Sequence, residues 1–365
     1  MRTHVFIVNE ETFPIHLQYM FAGTGAKDKN DDLSLLADIS RVRVGDLVIF
    51  YIEGTTKVKG GFYGIFQITD THPTVLHAPE KNGFQPGLSK KLIYRTLLKP
   101  YEVYSKGVPE WEALDKLPMY ATEIQWSLIY RKLKGKRGCT PLLPWETQRL
   151  IDMIRDKNKG KPVANKDYRG GFDWDNANRR IVLTSSPKSY NLPYQQTMNP
   201  LPFIWEKFPE KRAYEVYLEL YFTQNAGLNK SLDTIAGDNI IWLGNEVASG
   251  VGMQKIDILT INQIRDRKEY RIIELKDEHV TTNIVEQIEY YVNWASQNSG
   301  RHLQAAYSWN IQPIIVAPPH KPSNWKKVVQ AFSDFNSKGI SLPILYFEFQ
   351  VGSEKSINFQ KVNYE

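Results

Sequence analysis

Two short apolar segments near the C-terminal end of the chain carry acidic and basic residues at a regular spacing. Asp257 lies in the segment KIDIL at 255–259, and the tripeptide Glu274-Leu275-Lys276 begins seventeen residues after Asp257. Both segments have the length and apolar content of strands bounded by polar residues. Because side chains alternate across a strand, Glu274 and Lys276 share one face and Leu275 lies on the other. If the strands pair as a hairpin, Asp257 meets Glu274 at one end of a sheet.

This arrangement has the composition of a cation site. Two carboxylates at one end of a sheet can hold a hard divalent cation through oxygen. The ammonium of Lys276 can orient a water molecule and stabilise negative charge on a phosphate. The alternative is an ordinary surface hairpin, because Glu-x-Lys is a common tripeptide. The pattern therefore predicts a site only together with its neighbours.

Neighbouring segments add further polar groups. The apolar run 240–247 predicts a strand that delivers a third carboxylate, Glu246, whose role the sequence leaves open. Apolar residues at helical spacing predict a helix over 283–295, with Gln287 on its first turns. A second helix is expected over 209–225, and Glu215 lies beside its apolar stripe. These elements surround the hairpin in the chain.

This series of a helix, Asp, Glu-x-Lys and Gln resembles the PD-(D/E)xK nuclease superfamily, and it is most similar to the RecB-like and mismatch-endonuclease branch. The likeness spans 210–319 of the chain. It departs from the family pattern in one place, because Ile256 precedes Asp257 where the motif is named for a proline. The resemblance implies an α/β fold with a mixed central sheet and hydrolysis of a phosphodiester with Mg²⁺, or Mn²⁺ in its place. Glu215 takes the place of the acidic residue of the first core helix.

The resemblance also assigns roles around the hairpin. It implies that Asp257 and Glu274 are metal ligands, with the carbonyl of Leu275 as a candidate further ligand. Lys276 corresponds to the catalytic lysine. Gln287 corresponds to the helix glutamine of a Gln-x-x-x-Tyr pattern, which is present here as QIEYY at 287–291.

Composition limits the class of protein. A chain of 365 residues is expected to form two domains, and 42% hydrophobic with 12% aromatic residues is typical of globular proteins. The one cysteine, Cys139, excludes an intramolecular disulfide, and Cys/His zinc spacings are absent. We find neither a signal peptide nor an apolar stretch of about 18 residues, so a cytoplasmic location is expected. The sequence lacks a glycine-rich phosphate-binding loop, so we expect no nucleotide cofactor.

Positive charge is concentrated in one segment. Residues 131–169 contain twelve Lys or Arg against four Asp or Glu, a local surplus of +8 that exceeds the net charge of +6 for the whole chain. A polyanion such as nucleic acid is the natural partner of such a segment, because displaced counterions favour binding. The alternative is a solvated basic linker without a ligand.

The N-terminal part has a different pattern. Short β-rich runs separated by turn residues predict a small β-barrel. The expected strands are 5–8, 47–52, 61–68 and 92–98, and the expected flanking helices are 33–38 and 145–155.

Several of these segments together resemble the EVE domain, a PUA-like barrel related to YTH domains, over 2–157. They are FIVN at 6–9, VGD at 44–46, GFYGIF at 61–66, YR at 94–95 and WSLIYR at 126–131. The resemblance implies a barrel that accepts a single flipped base between aromatic side chains, which gain stacking energy while polar groups read the base edge.

Candidate residues for such a base pocket follow from the aromatic and polar positions of this half. The aromatic candidates are Phe21, Tyr51, Tyr63 and Trp126, and the candidate polar readers are Asn9 and Ser127. For each single aromatic the alternative is packing in the core, since a barrel of this size needs several buried aromatic residues.

The remaining segments complete a domain scheme of 1–157, 158–204 and 205–365. The middle segment is rich in proline and glycine and is expected to be a linker or an arm, with one strand at 181–183. Apolar runs at 312–316 and 344–349, with a helix at 325–336 between them, predict that the last part continues as a mixed sheet with helices on it.

Both halves together predict a Mg²⁺-dependent DNA endonuclease directed by a base-flipping reader, most simply a modification-dependent restriction enzyme. Because one nuclease site cuts one strand, double-strand cleavage predicts a homodimer on double-stranded DNA. Two alternatives stay open: a repair endonuclease for mismatched or damaged DNA, and an inert reader of modified nucleic acid.

Overall fold

The structure is a computed structural model that describes most of the chain. The described residues are 2–25, 33–56, 59–78, 92–115, 138–208, 214–249, 254–299, 309–352 and 356–364. They divide into two compact units, Met1–Met198 and Asn199–Glu365. Across these ranges, no helix has both the length and the apolar character that crossing a membrane requires.

The first unit is built on a mixed sheet. Its strands are β1 (Thr3–Val8), β2 (Phe21–Thr24), β3 (Leu47–Ile52), β4 (Gly61–Ile68), β5 (Leu76–His77), β6 (Tyr94–Pro100), β7 (Glu102–Val103), β8 (Val108–Pro109), β9 (Cys139–Leu142), β10 (Ala164–Asn165), β11 (Gly171–Asp175) and β12 (Arg180–Thr184). The main sheet runs in the order β2-β6-β4-β3-β1-β9, with β5 added to β6 and β8 to β4. Strands β1 and β3 are parallel, and the other neighbours are antiparallel. Within the described residues, β2 and β9 are the two ends of this path.

Helices flank this sheet; those at 33–39 and 144–157 lie close to the predicted 33–38 and 145–155, and those at 13–19 and 110–115 were not predicted. They are α1 (Phe13–Tyr19), α2 (Leu33–Ile39), α3 (Glu110–Asp115) and α4 (Pro144–Lys157). Helix α4 begins with a proline, and the Glu146 carboxylate accepts a hydrogen bond of 2.8 Å from the Leu143 N–H, which satisfies a donor at the helix start. Its apolar residues Leu150 and Ile154 pack in one core cluster with Val5 of β1.

The segment that the sequence predicts as a linker, 158–204, is divided between the two units. Residues 158–198 belong to the first unit, where the expected strand at 181–183 is the second arm of a β11–β12 hairpin. Trp174 of this hairpin is 8% exposed, and its ring lies 5.1 Å from that of Phe13 and 4.9 Å from that of Tyr63. The hairpin thus contributes to the core, because a buried aromatic ring anchors it.

The second unit is an α/β fold around one mixed sheet. Its strands are β13 (Ile240–Ala248), β14 (Lys255–Ile264), β15 (Arg267–Leu275), β16 (Trp309–Ala317), β17 (Leu345–Val351) and β18 (Ile357–Val362), and they lie side by side in chain order. Neighbours are antiparallel except for the pairs β15–β16 and β16–β17, which are parallel. The helices are α5 (Leu201–Lys207), α6 (Glu215–Asn225), the short α7 (Asp233–Ala236), α8 (Ile284–Ser299) and α9 (Pro322–Ser337), with a 3-10 turn at Lys230–Leu232.

Each face of this sheet is covered by different helices. Leu275 and Val316 lie on the face whose core cluster includes Leu218 and Phe222 of α6. On the opposite face, α8 packs against β15 and β16, and the Phe332 ring of α9 lies 6.0 Å from that of Tyr346. Two covered faces explain why β16 ends in the continuous apolar run 313–317.

The second unit matches the predicted order of strands and helices, with shifts at several ends. Helix α6 begins at Glu215, and residues 209–213 of the expected helix 209–225 lie outside the described residues. Helix α9 begins at Pro322, earlier than expected, because a proline is compatible with the first turn. Strand β18 and helix α5 were not predicted.

Replacing Trp174 tests whether 158–198 is part of the first unit. We expect Trp174→Ala to lower the free energy of unfolding of this unit by about 3 kcal/mol, because the truncation leaves a cavity against Phe13 and Tyr63. Chemical denaturation followed by circular dichroism measures the change. Tyr194→Ala is the matched control, since Tyr194 is 42% exposed. Equal stability of the two variants would show that the hairpin is only an arm.

Candidate active site

The β14–β15 hairpin brings the two predicted metal ligands together. Ile258 pairs with Ile273, so Asp257 and Glu274 come next in the register and lie on the same face. The Leu275 N–H donates a hydrogen bond of 2.7 Å to Oδ2 of Asp257. Asp257 is half-buried and Glu274 is 1% exposed.

Lys276 completes the predicted trio. Its Nζ lies 2.5 Å from Oε1 of Glu274, and its main-chain N–H donates to the carbonyl of Val316 at 2.9 Å. The second contact extends the β15–β16 ladder by one residue, so a regular backbone holds the lysine next to the acid. The ammonium is half-buried beside Glu274.

Gln287 of α8 also reaches this cluster. Its amide nitrogen donates to Oε1 of Glu274 at 2.6 Å and to the Tyr291 hydroxyl at 2.7 Å. The Tyr291 hydroxyl in turn donates to the carbonyl of Lys255 at 2.5 Å. Because an amide nitrogen has two hydrogens, these contacts fix which way the amide points. Tyr291 therefore positions Gln287, which is a role that sequence analysis did not assign.

One oxygen of Glu274 is the most informative atom of the site. Among the residues that the structure describes, Oε2 of Glu274 is buried and has no hydrogen-bond partner. A buried carboxylate oxygen without a partner loses its hydration without compensation. A cation at this position would supply the missing interaction.

The pKa values of the two carboxylates also favour a cation at this position. Burial, and then the charges of Glu274 and Glu215, raise the pKa of Asp257 well above its ordinary value. Burial also raises the pKa of Glu274, although Lys276 and Gln287 oppose the shift. The site therefore disfavours two bare negative charges, and a divalent cation would relieve this repulsion.

Lys276 has the opposite electrostatic balance. Burial by itself lowers the pKa of its ammonium, but the carboxylates of Glu274, Asp257 and Glu215 more than offset this, and the pKa is raised. Lys276 is therefore a cation at neutral pH, and it acts as a hydrogen-bond donor.

Glu215 and Glu246 lie at the edge of the cluster. Burial raises the pKa of Glu215, with Lys276 opposing the shift and Asp277 and Glu246 adding to it. The Tyr214 hydroxyl donates to the carbonyl of Asp277 at 2.9 Å, which joins the start of α6 to the end of β15. The structure thus places Glu215 within electrostatic reach of the hairpin.

Glu246 has an unusual backbone. Its φ of 44° lies in the left-handed region, which residues other than glycine rarely adopt, and it stands opposite Asp257 on β13. Its carboxylate accepts a hydrogen bond of 3.0 Å from Nζ of Lys255. The third carboxylate therefore lies next to the site, held by a lysine.

These residues fit a magnesium ion. Within the described ranges, no group of three or more His, Cys, Asp or Glu forms a ready metal cage. Magnesium, however, is usually bound through one or two carboxylates and keeps several waters. The Asp257–Glu274 pair, with the unpartnered Oε2 and the main chain of Leu275 beside it, has that composition.

The candidates for a base pocket are not all brought together. Phe50 pairs with Tyr63 and Tyr51 pairs with Phe62, so Tyr63 and Tyr51 face opposite sides of the sheet. Tyr51 is fully buried in the core against α4, and its hydroxyl donates to Glu110. Tyr51 and Tyr63 therefore do not line one cavity.

Phe21 and Tyr63 lie in one connected group of rings. The Tyr63 ring is 6.0 Å from that of Phe13, and Phe13 and His16 both lie 5.4 Å from Phe50. His16 in turn is 4.5 Å from Phe21. Phe21 is fully buried and Tyr63 is 6% exposed, so both rings pack in the interior of this unit.

The polar reader candidates have separate positions. The Asn9 side chain accepts a hydrogen bond of 2.8 Å from the Thr12 N–H, which begins the turn into α1. Trp126 and Ser127 lie outside the described residues.

Arg95 entered the sequence analysis only as part of the EVE-like segment 94–95, with no role assigned to it. It is fully buried, its Nε donates to the carbonyl of Leu92 at 2.7 Å, and one terminal nitrogen donates to the Tyr190 hydroxyl at 3.0 Å. The guanidinium carbon lies 5.8 Å from the centre of the Phe21 ring. A single arginine in a strand gives no periodic signal, so only the pairing of distant segments shows that it is buried.

The basic segment is exposed mainly after α4 in the part that the structure describes. Residues 131–137 lie outside the described ranges, and exposed basic side chains follow the end of α4: Lys159, Lys161, Lys166 and Arg169. Exposed cations of this kind are available to a polyanion.

Comparisons with known proteins give only distant likenesses. No protein-family profile and no curated protein matches the chain. A hypothetical protein from Leishmania major shares 13% identity, covering 43% of this chain and 96% of its own, with a TM-score of 0.32. Human THYN1 protein in complex with 5-methylcytosine-containing DNA shares 12% identity, covering 44% and 100%, with a TM-score of 0.28.

Endonucleases are also among the matching solved structures. Restriction endonuclease FokI shares 9% identity, covering 52% of this chain and 37% of its own, with a TM-score of 0.24. The EndoMS–dsDNA2 complex shares 14% identity, covering 51% and 69%, with a TM-score of 0.23. At such TM-scores these likenesses carry no argument about fold or activity.

The raised pKa values of Asp257 and Glu274 predict how stability depends on pH. Above about pH 4, the ordinary carboxyl pKa, the folded state holds more protons than the unfolded state until the raised pKa values are passed. The free energy of unfolding of the metal-free protein should therefore fall as pH rises through this window. We expect Asp257→Asn to be more stable at pH 7 by about 1–3 kcal/mol, because it removes a buried charge yet keeps an acceptor for the Leu275 N–H.

Denaturant titrations of the metal-free protein across this pH range, in the presence of EDTA, measure the effect. Asp266→Asn is the matched control, because Asp266 is exposed in the turn at the other end of the same hairpin. A pH slope that is equal in all three proteins would contradict the electrostatic account of the site.

Proposed function

We propose that this chain is a divalent-metal-dependent DNA endonuclease. The single observation that carries the proposal is the convergence of Asp257, Glu274 and Lys276, with a buried Glu274 oxygen that has no partner among the described residues. A structural ion pair needs only one acid, whereas here burial and the charge of Glu274 raise the pKa of Asp257, and burial raises the pKa of Glu274. Such an arrangement destabilises the empty site and favours a cation.

In the proposed mechanism, Asp257 and Glu274 would hold Mg²⁺, or Mn²⁺ in its place, with the carbonyl of Leu275 as a further ligand. The ion, when bound, would polarise a phosphate oxygen and lower the pKa of a water molecule. Lys276 donates hydrogen bonds to the attacking water or to the phosphate oxygens, which develop charge in the transition state. Gln287 holds the carboxylate of Glu274 in one orientation, and Glu215 adds negative charge at the rim.

We further propose that the first unit reads a base and directs cutting to it. The supporting features are the EVE-like segments and the exposed basic residues after α4. Aromatic faces can accept a flipped base, whereas lysines bind the backbone without regard to sequence. The activity proposed is therefore modification-dependent restriction of double-stranded DNA, in which a homodimer supplies the two sites that cutting both strands requires.

Cleavage of defined plasmids tests the nuclease proposal. With Mg²⁺, Asp257→Asn and Lys276→Ala should each lower the rate of nicking by about 100-fold or more, because each removes a group that acts on the reacting phosphate. Gel electrophoresis of supercoiled plasmid measures the rate. Lys268→Ala is the matched control, since Lys268 lies at the other end of β15. If both site variants nick plasmid at the wild-type rate, the proposal is wrong.

The same assay separates the proposed specificity from its alternatives. Plasmids with methylated or hydroxymethylated cytosine, methylated adenine, or no modification are compared with duplexes that carry one mismatch. Preference for a modified plasmid supports restriction, and preference for a mismatch indicates a repair endonuclease. Binding of modified DNA without any cutting indicates an inert reader.

Metal binding can be measured without activity. We expect Mn²⁺ to raise the melting temperature of the wild-type protein and to leave Asp257→Asn unchanged, because a ligand stabilises only the state that binds it. Titration calorimetry should show binding to the wild type alone. Heat release of the same size with Asp257→Asn would place the ion elsewhere.

A further inference from the structure

A second polar cluster lies on the same sheet face as the candidate active site. Leu275 pairs with Val316, so Lys276 is level with Ala317, and Ala317 pairs with Glu348 of β17. Residues paired across a sheet project to the same face. Lys276 and Glu348 therefore share a face and a level, two strands apart, which is a backbone separation of about 10 Å.

Glu348 holds a histidine at this edge. His320 follows β16, and both its main-chain N–H and its Nδ1 contact Oε1 of Glu348, at 2.8 Å and 2.5 Å. The side chain of Glu348 is 13% exposed, and that of His320 is 30% exposed. The carboxylate is thus largely buried under an imidazole that remains open to solvent.

An indole supports the same ring. The His320 imidazole stacks on Trp325, the fourth residue of α9, with ring centres 4.0 Å apart and planes at 25°. Trp325 in turn lies 5.3 Å from the ring of Tyr346. Burial, and then the neighbouring Glu348, raise the pKa of the Tyr346 hydroxyl, so this group is neutral. The stack holds the imidazole plane in one orientation.

The connection after β15 leads to the same place. His279 comes three residues after Lys276, and its Nδ1 donates to the carbonyl of Pro319, next to His320, at 2.5 Å. The loops after β15 and β16 are therefore joined at the carboxyl ends of parallel strands, where α/β sheets commonly bind ligands. The groups that face His320 are Glu348 on β17, Trp325 on α9 and the nearby His279 loop.

These contacts decide what His320 can bind. The carboxylate of Glu348 accepts a hydrogen bond from Nδ1, and the indole face of Trp325 packs on the ring. With Nδ1 committed to Glu348, Nε2 is the ring nitrogen left for a ligand. An imidazole in which both ring nitrogens donate carries positive charge, and such a donor selects an anionic oxygen.

We propose that His320, held by Glu348 and Trp325, binds a phosphate of the nucleic-acid strand next to the one that Lys276 faces. This inference rests on the proposed nuclease function and adds a strand-positioning contact to it. Lys276 and Glu348, which holds His320, share a sheet face with a backbone separation of about 10 Å, so Lys276 and His320 would contact phosphates of a single nucleic-acid strand. His320 is a positioning residue, because Lys276 rather than His320 adjoins the reacting phosphate.

The test measures the salt dependence of DNA binding. A fluorescein-labelled duplex is titrated with protein at about pH 6, with Ca²⁺ replacing Mg²⁺. Loss of one phosphate contact should lower the slope of log K against log salt by about 0.9. We expect this change for His320→Ala and His320→Gln, with affinity at fixed salt about ten-fold weaker for His320→Ala. His320→Gln keeps a side chain that can stack and donate but carries no charge.

Matched variants distinguish binding from folding. Glu348→Gln should keep an acceptor for Nδ1 yet lose part of the affinity, whereas His72→Gln, a half-exposed histidine of the first unit, should bind as the wild type does. If both His320 variants keep the wild-type slope of log K against log salt, the inference is overturned. If the wild-type protein still nicks plasmid in that case, the nuclease proposal stands. A wild-type protein that neither binds nor cuts any duplex would instead overturn the proposed function itself.

Discussion

The interaction on which the site depends is the repulsion between two carboxylates that the fold buries next to each other. Asp257 and Glu274 come from adjacent strands of one hairpin, so the register that pairs their neighbours also forces them together. The raised pKa values show that this arrangement is unfavourable without a counter-charge. Lys276 supplies part of it, and Oε2 of Glu274, which has no hydrogen-bond partner among the described residues, is where a further positive charge would be most favourable. The surrounding hydrogen bonds keep this geometry from relaxing.

Much of the second unit could be predicted from the sequence, because its signals are local. A hairpin with alternating side chains places Glu274 and Lys276 on one face, and helical spacing places Gln287 on the first turns of α8. The contacts that fix these groups are not local. Tyr291 reaches the carbonyl of Lys255 from 36 positions away, and His320 meets Glu348 across 28. The sequence contains no periodic pattern that predicts such pairs, so they can be identified only in the folded structure.

In the first unit, the strands are easier to predict from the sequence than the residues of the base pocket. Its strand ends are well predicted for β3 and β4, because runs such as 47–52 are apolar throughout. The pocket residues are harder to predict, since an aromatic residue in a small core looks the same in sequence whether it stacks on a base or on another ring. Tyr51 illustrates the difficulty. Its neighbour Phe50 shares a face of the sheet with Tyr63, whereas Tyr51 lies on the opposite face. A choice between faces of this kind depends on which side α4 covers.

The β11–β12 hairpin has a practical consequence for anyone who wishes to transplant these units. The glycine and proline residues between 158 and 204 suggest a domain boundary directly after α4. A truncation there would remove Trp174 from the first unit and expose Phe13, on which its ring packs. A junction between Met198 and Asn199 leaves both hydrophobic interiors whole. Chimaeras that pair either half with a foreign partner should therefore be spliced there, where the chain passes from one compact body to the next.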